Sequence, residues 1–232
     1  MLGANREFCS LVAARTKCLV FDADYRKAPE HPFPAAIQDA EDIVYYLFAN
    51  PDKYDLSNIF LSGFSAGGNM ALVTASTLGP NRIKGVIGFY PAVDLTKQHT
   101  APEKRMLAGI VNRPFIRDIA RAAYMLPSQP RDDPRISVIN APTENFPKHI
   151  YLVCGNADAG YDPIVKFTEK LKEAGHRDIE FASLEYMGHG FDARAKKGTE
   201  AEKKKIETYA RAVDLINRVI EASIVTSDYV GE

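Results

Sequence analysis

The chain has 232 residues, 46% hydrophobic and 25% charged, which is ordinary for a globular protein and enough for one sizeable core. Its 29 basic and 30 acidic side chains leave a net charge of −1, which excludes a strong electrostatic pull toward nucleic acid or anionic lipid. Three widely spaced cysteines, Cys9, Cys18 and Cys154, are odd in number and lack metal-ligand spacing, so neither a disulfide framework nor a thiolate metal site is expected.

Residues 1–7 have neither the basic start nor the apolar stretch of a signal peptide, and no segment approaches the length of a membrane span, so a cytoplasmic location is expected. These first residues read as the middle of a domain rather than its beginning. Cys18 to Phe21 reads as a strand with Cys18 as a buried thiol. Pro34 to Phe48 reads as a helix, with Ile37, Ala40, Val44 and Leu47 on one stripe. Ile59 to Leu61 is the next strand, followed by a helix from Ala66 to Thr77 that Gly79-Pro80 terminates. Gly85 to Phe89 and Ile150 to Cys154 are further strands, the second burying Cys154. Asp162 to Glu173 is a helix closed by Gly175, Ile179 to Leu184 a fifth strand, and the last helix runs from about Thr199 to Ser223 before a frayed end. The basic cluster from Arg194 to Lys205 is interrupted by Glu200 and Glu202 and reads as a solvated loop and helix start, with Lys203, Lys204 and Lys205 solubilising.

From about residue 95 to 147 the alternation stops. Helical patterns fall near Pro102 to Val111 and over Phe115 to Leu126, the latter carrying Ile116, Ile119, Ala120, Ala123 and Tyr124. An insertion of this size between core strands reads as a cap over a site or an elaborated surface. Elsewhere strands and helices alternate, which implies a single α/β domain over residues 1–232 with a mostly parallel sheet flanked by helices.

Gly63-Phe64-Ser65-Ala66-Gly67 is a G-x-S-x-G placed where a strand turns into a helix, a corner that pushes a serine hydroxyl outward. Gly63 and Gly67 are both expected to be required, because a side chain at either would collide with the neighbouring strand and helix. With 15 glycines in the chain, the pattern arises by chance roughly once in 25 such chains, so a plain glycine-rich turn is a real alternative. A serine nucleophile needs a base to take its proton and a carboxylate to orient that base. His189, between Gly188 and Gly190 after a strand, suits the base. Asp158 and Asp162 can each supply the acid: Asp162 precedes Pro163 at a helix start and suits an N-cap, whereas Asp158 is nearer the strand end. His31, His99, His149 and His176 lie in a proline-rich loop, the insertion, before a strand and after a helix. None shares a ligand spacing with a carboxylate, so no metal site is expected.

Four separated stretches resemble the hormone-sensitive-lipase-like branch of the α/β-hydrolases, the group called α/β-hydrolase fold-3. Asp24 to Ala36 is similar to its DYRLAPEHPFPAA segment, with Lys27 for the usual leucine, and Gly63 to Gly68 to its GDSAGG elbow. Asp133-Pro134-Arg135-Ile136-Ser137 resembles its DPRIS stretch. Asp158 to Asp162 and Leu171 to Gly175 keep its D-P-L-x-D and L-x-x-A-G spacing, with His189 in HGF at the place of its base. The resemblance implies an α/β-hydrolase fold and a carboxylesterase or lipase working through an acyl-enzyme. Ser65 would be the nucleophile, His189 the base, Asp158 the acid and Ala66 N–H an oxyanion donor. It implies a small or medium acyl ester as substrate, no metal or organic cofactor, and no nucleic-acid partner.

Two departures accompany the likeness. Phe64 replaces the aspartate that commonly precedes the nucleophile, so a local polar contact is expected to be lost. This sequence contains no His-Gly-Gly-Gly run, the loop that supplies most of the family's oxyanion hole, and Leu2-Gly3 looks like the tail of that segment. The sequence is therefore expected to start just past the loop, without the family's first strands. Loss of one such donor costs about 2.7–4 kcal/mol in the transition state, so weak activity is expected for a chain of this length. A weakly active or inactive shortened member, acting as a binding protein or a gene-model fragment, and a formamidase or lactonase are the alternatives to an esterase.

Overall fold

A computed structural model describes residues 2–97 and 114–228. The chain divides into two compact units, Tyr25–Arg194 and the pair of segments Met1–Asp24 and Ala195–Glu232.

The larger unit is built on four strands, β1 (Phe60–Phe64), β2 (Gly85–Phe89), β3 (His149–Gly155) and β4 (Ile179–Leu184). They lie in the order β1-β2-β3-β4 and every neighbouring pair is parallel. The register is unbroken: Phe64 pairs with Phe89, Phe89 with Val153, Val153 with Ala182 and Gly155 with Leu184. The carboxyl ends of all four strands therefore lie at one end of the sheet. β2 is buried throughout and β3 from Ile150 onward, as expected for parallel strands covered on both faces.

Three helices of this unit support the sheet: α2 (Ala35–Phe48), α3 (Ala66–Leu78) and α5 (Tyr161–Glu173). α3 packs on β1 and β2, α5 on β3 and β4, and α2 on α3. From Gly68 to Ser76 every residue of α3 is buried, including Leu72 and Val73 with no exposure at all. Burial of one such side chain contributes about 1.5–3 kcal/mol, so this helix anchors the corner from which it starts. A fourth helix, α4 (Pro114–Tyr124), and two short 3₁₀ turns, Val138–Asn140 and Thr143–Asn145, fall within the expected insertion. Of that insertion, residues 98–113 lie outside the described residues, and with them the helix expected near Pro102 to Val111. On α4, Ile119 and Ala120 are exposed, while Ala123 and Tyr124 are half-buried.

The smaller unit holds α1 (Arg6–Thr16) and α6 (Glu200–Asp228). Phe8 of α1 meets the Tyr209 ring edge-on with centroids 5.0 Å apart, Lys205 Nζ lies 2.9 Å from Glu7, and Asn217 Nδ2 donates to Arg15 O.

One sequence expectation is corrected here, and a second finding adds to the sequence reading. Cys18 to Phe21 forms no strand; Leu19 and Phe21 are 73% and 47% exposed, and Cys18 is only half-buried. An apolar β-type run becomes a strand only when it joins a ladder, and the described sheet consists of β1 to β4 alone, while Cys18 N–H turns back to Thr16 Oγ1 at 3.3 Å. The second concerns α1, which the apolar pattern did not announce. Its buried residues, Phe8, Val12 and Thr16, are four apart and end on a threonine, a stripe one residue wide.

Candidate active site

The corner between β1 and α3 carries Ser65, with φ +54° and ψ −115°. A non-glycine residue at positive φ is uncommon and persists where its surroundings over-determine it. Here Ser65 N–H donates to Phe89 O at 2.9 Å, and Asn69 N–H returns to Ser65 O at 3.1 Å. One turn into α3, Asn69 Nδ2 donates to Ala92 O (2.7 Å) and Ile136 O (3.1 Å), tying the helix start to the chain after β2 and to the Asp133-to-Ser137 stretch.

Gly63 is required as expected: a Cβ there would lie 2.2 Å from both the carbonyl carbon and oxygen of Gly67. The expectation for Gly67 is corrected, because a Cβ there meets nothing within 4 Å. The crowded partner is Gly68, where a Cβ would come to 2.9 Å from Pro91 Cβ. Gly67 lies on the outer side of the first helical turn, whereas Gly68 turns inward against the segment after β2. Phe64, in place of the aspartate of the resembling sequences, stacks on Phe89 with rings 4.4 Å apart and 6° from parallel. An aromatic contact occupies the place where a polar one was expected to be lost.

The expected base and acid meet the serine. Ser65 Oγ lies 2.8 Å from His189 Nε2, and His189 Nδ1 lies 2.6 Å from Asp158 Oδ2. In the tautomer with its proton on Nδ1, the imidazole donates to the carboxylate and offers Nε2 as acceptor to the serine hydroxyl. Asp158 is 5% exposed, whereas 52% of the His189 side chain is open. Asp162 takes no part in this chain of hydrogen bonds. It sits in the first turn of α5, one residue after the helix begins, and the N-cap position belongs to Gly160 rather than to Asp162. Asp158 is fixed at its other oxygen, where Oδ1 accepts Gly160 N–H at 2.8 Å. The shorter path from the strand end, and this local turn, place Asp158 against His189.

The acid and base loops are also joined to each other. Ala157 N–H donates to Met187 O (3.1 Å), Asn156 N–H to Leu184 O (2.9 Å), and Tyr186 N–H to Asn156 Oδ1 (2.8 Å). A Cβ at Gly155 would stand 1.9 Å from Met187 O, so glycine is what lets the two loops approach. Asn156 and Gly155 hold the site together without having been singled out by motif, although both lie in the strand-end run before Asp158.

Ala66 opens α3, so its N–H is among the first-turn donors that a helix leaves without a partner of its own. Ala66 is exposed beside the serine, and the helix dipole adds to its attraction for negative charge. Among the described residues, no group of three or more His, Cys, Asp or Glu side chains is placed to hold a metal ion. No helix among them is long and apolar enough to cross a membrane.

A family model described as alpha/beta hydrolase fold matches residues 2–193. The chain is 33% identical over 125 residues to carboxylesterase 20 of Arabidopsis thaliana, a stretch that covers 49% of this chain and 38% of that protein. It is 30% identical over 180 residues to the versiconal hemiacetal acetate esterase of Emericella nidulans, covering 70% of this chain and 58% of the relative. The chain thus spans between about a third and three fifths of the length of these relatives. Its fold superposes on a hyperthermophilic esterase from Pyrobaculum calidifontis with a TM-score of 0.79 and 27% identity, covering 93% of this chain and 71% of that one.

Proposed function

The chain belongs to the alpha/beta hydrolase fold family, and from that premise we propose that it hydrolyses small or medium carboxylic esters through an acyl-enzyme on Ser65. The reading rests above all on one observation, the continuous line of hydrogen bonds from Ser65 through His189 to Asp158. Esterase names among its relatives, both plant and fungal, support the substrate class.

In this proposal Ser65 Oγ attacks the ester carbonyl as its proton passes to His189 Nε2. Asp158 stabilises the imidazolium that forms and holds the ring in the productive tautomer. Charge developing on the carbonyl oxygen faces Ala66 N–H, an oxyanion donor at the positive end of α3. His189 then gives its proton to the departing alkoxide, leaving the acyl group on Ser65. A water, deprotonated by the same nitrogen, attacks that acyl group and restores the serine. Every proton in the cycle is carried by Nε2.

Two measurements test this reading. Hydrolysis of p-nitrophenyl butyrate should be lost in Ser65→Ala. A fluorophosphonate should add covalently to the native chain, seen by intact mass, and not to that variant. Equal labelling of the two proteins would sink the assignment.

A further inference from the structure

On the reading that Ser65, His189 and Asp158 hydrolyse esters, we propose that Tyr90 and Asp192 are positioning residues that keep the His189 imidazole in line between the other two. The problem they solve is geometric. His189 is half-exposed, and its two hydrogen bonds leave through Nδ1 and Nε2 along the length of the ring. Bonds so placed set where the ring begins and ends but resist rocking about the line between them only weakly. A packing partner against the ring supplies that resistance.

Tyr90, the first residue after β2, is that partner: its ring lies 4.8 Å from the imidazole, inclined by 60°. The tyrosine is itself fixed at its far end, where Oη donates to Asp192 Oδ1 at 2.6 Å. Both residues are only 6% exposed. Asp192 is three residues beyond His189, so the bond ties the base's own loop to the end of β2. The Tyr90 ring also meets Phe64 and Phe191 edge-on, each with centroids 6.1 Å apart, and thereby touches the residue before the nucleophile and the second residue after the base.

The backbone carries the same sign of constraint. Tyr90 has φ +39°, a conformation rare for a bulky side chain, and its N–H donates to Val153 O at 2.6 Å. Such a conformation is retained where surrounding contacts impose it, and it clusters at sites where geometry matters. A phenylalanine–leucine pair would fill the same space without taking a hydroxyl and a carboxyl group out of water. What the polar pair adds is a fixed distance and direction between the two loops, which apolar packing does not specify.

The test separates positioning from bulk support. Tyr90→Phe keeps the ring and removes the bond, and should lower kcat for p-nitrophenyl butyrate about ten-fold with KM within about two-fold. Its Tm should fall by about 2–10 °C, because the buried Asp192 carboxylate loses a partner. Asp192→Asn still offers an oxygen to the tyrosine and should keep more than about half of kcat, whereas Asp192→Leu should match Tyr90→Phe. Proton NMR gives a readout independent of turnover. The low-field Nδ1–H of His189, identified by its loss in Asp158→Leu, should be sharp in the native chain and in Asp192→Asn, and broadened in Tyr90→Phe and Asp192→Leu. Native kcat with an unchanged resonance in Tyr90→Phe overturns the proposal, and so does an equal loss of kcat and Tm in both Asp192 variants. A native chain that fails to hydrolyse the ester overturns the esterase reading instead, and the resonance series then decides the positioning role on its own.

Discussion

Alanine at Gly63 would set a Cβ 2.2 Å from the carbonyl carbon and oxygen of Gly67 and 2.7 Å from Gly68 N. All three are backbone atoms of the first turn of α3, so no side chain can swing aside to relieve the contact. An ordinary separation requires that turn to retreat by about 1 Å, and the same turn carries Ser65 and Ala66. A misplacement of about 1 Å at a reacting group costs on the order of 10²-fold in rate, and overpacking of this kind costs about 1–3 kcal/mol in stability. Gly63→Ala is therefore expected to lower kcat/KM for p-nitrophenyl butyrate about 10²-fold. Gly67→Ala faces open space within a helix, where alanine is favoured over glycine by up to about 1 kcal/mol. It should keep activity within about three-fold and raise Tm by about 2–4 °C. Initial rates and thermal melts of the two variants, measured side by side, decide the matter. Equal losses in both, or a native rate in Gly63→Ala, would refute the steric account of the elbow.

Two further perturbations address the acid and the acid side of the pH range. Asp158→Asn should lower kcat by about 10³–10⁴-fold by favouring the wrong imidazole tautomer, while Asp162→Asn should change it by no more than about three-fold; the reverse ranking would reassign the acid. Arg26 holds the Asp39 carboxyl below its ordinary range, through its guanidinium at 2.7–3.1 Å and its own N–H at 2.7 Å. Because the folded-state value is depressed, the stabilisation is fully present above about pH 4 and disappears as pH falls through that lower value. The stability gap between the native chain and Asp39→Asn, read from urea midpoints, should accordingly shrink as pH falls from about 4 to about 2. A gap that stays constant across it would contradict the pairing.

The features legible in the sequence were those in which local pattern and tertiary role coincide. β2 is a five-residue apolar run bounded by turns, and it forms over the residues expected, Gly85–Phe89. α3 starts at the serine corner and ends at Gly79, as its punctuation implied. The order of Ser65, an acid and His189 along the chain could be read before any coordinate, because each follows a strand and parallel strands bring such ends together. What eluded the sequence depends on neighbours. Residues 18–21 have strand composition but lie outside the described sheet, and α1 buries too narrow a stripe to show a period. Gly67 looked equivalent to Gly63 because a motif records residue type and not the direction of a missing Cβ. Tyr90, Asp192 and Asn156 act through contacts across 102 and 30 residues of sequence, which no local signal reports.

The unbroken register of the sheet has a practical side. Five paired residues of parallel strand separate the loops that enter β1 and β2 from those that leave them, a span of roughly 17 Å. Ser65, Asp158 and His189 all follow the exit ends of their strands, so the entry end is remote from them. The turns before β1, β2 and β4, at residues 50–59, 79–84 and 174–178, are therefore the places where a tag, a fluorophore or a surface anchor can be grafted with the least disturbance of the serine. An immobilised form tethered there would hold its anchor at the opposite end of the sheet from the proposed nucleophile, base and acid.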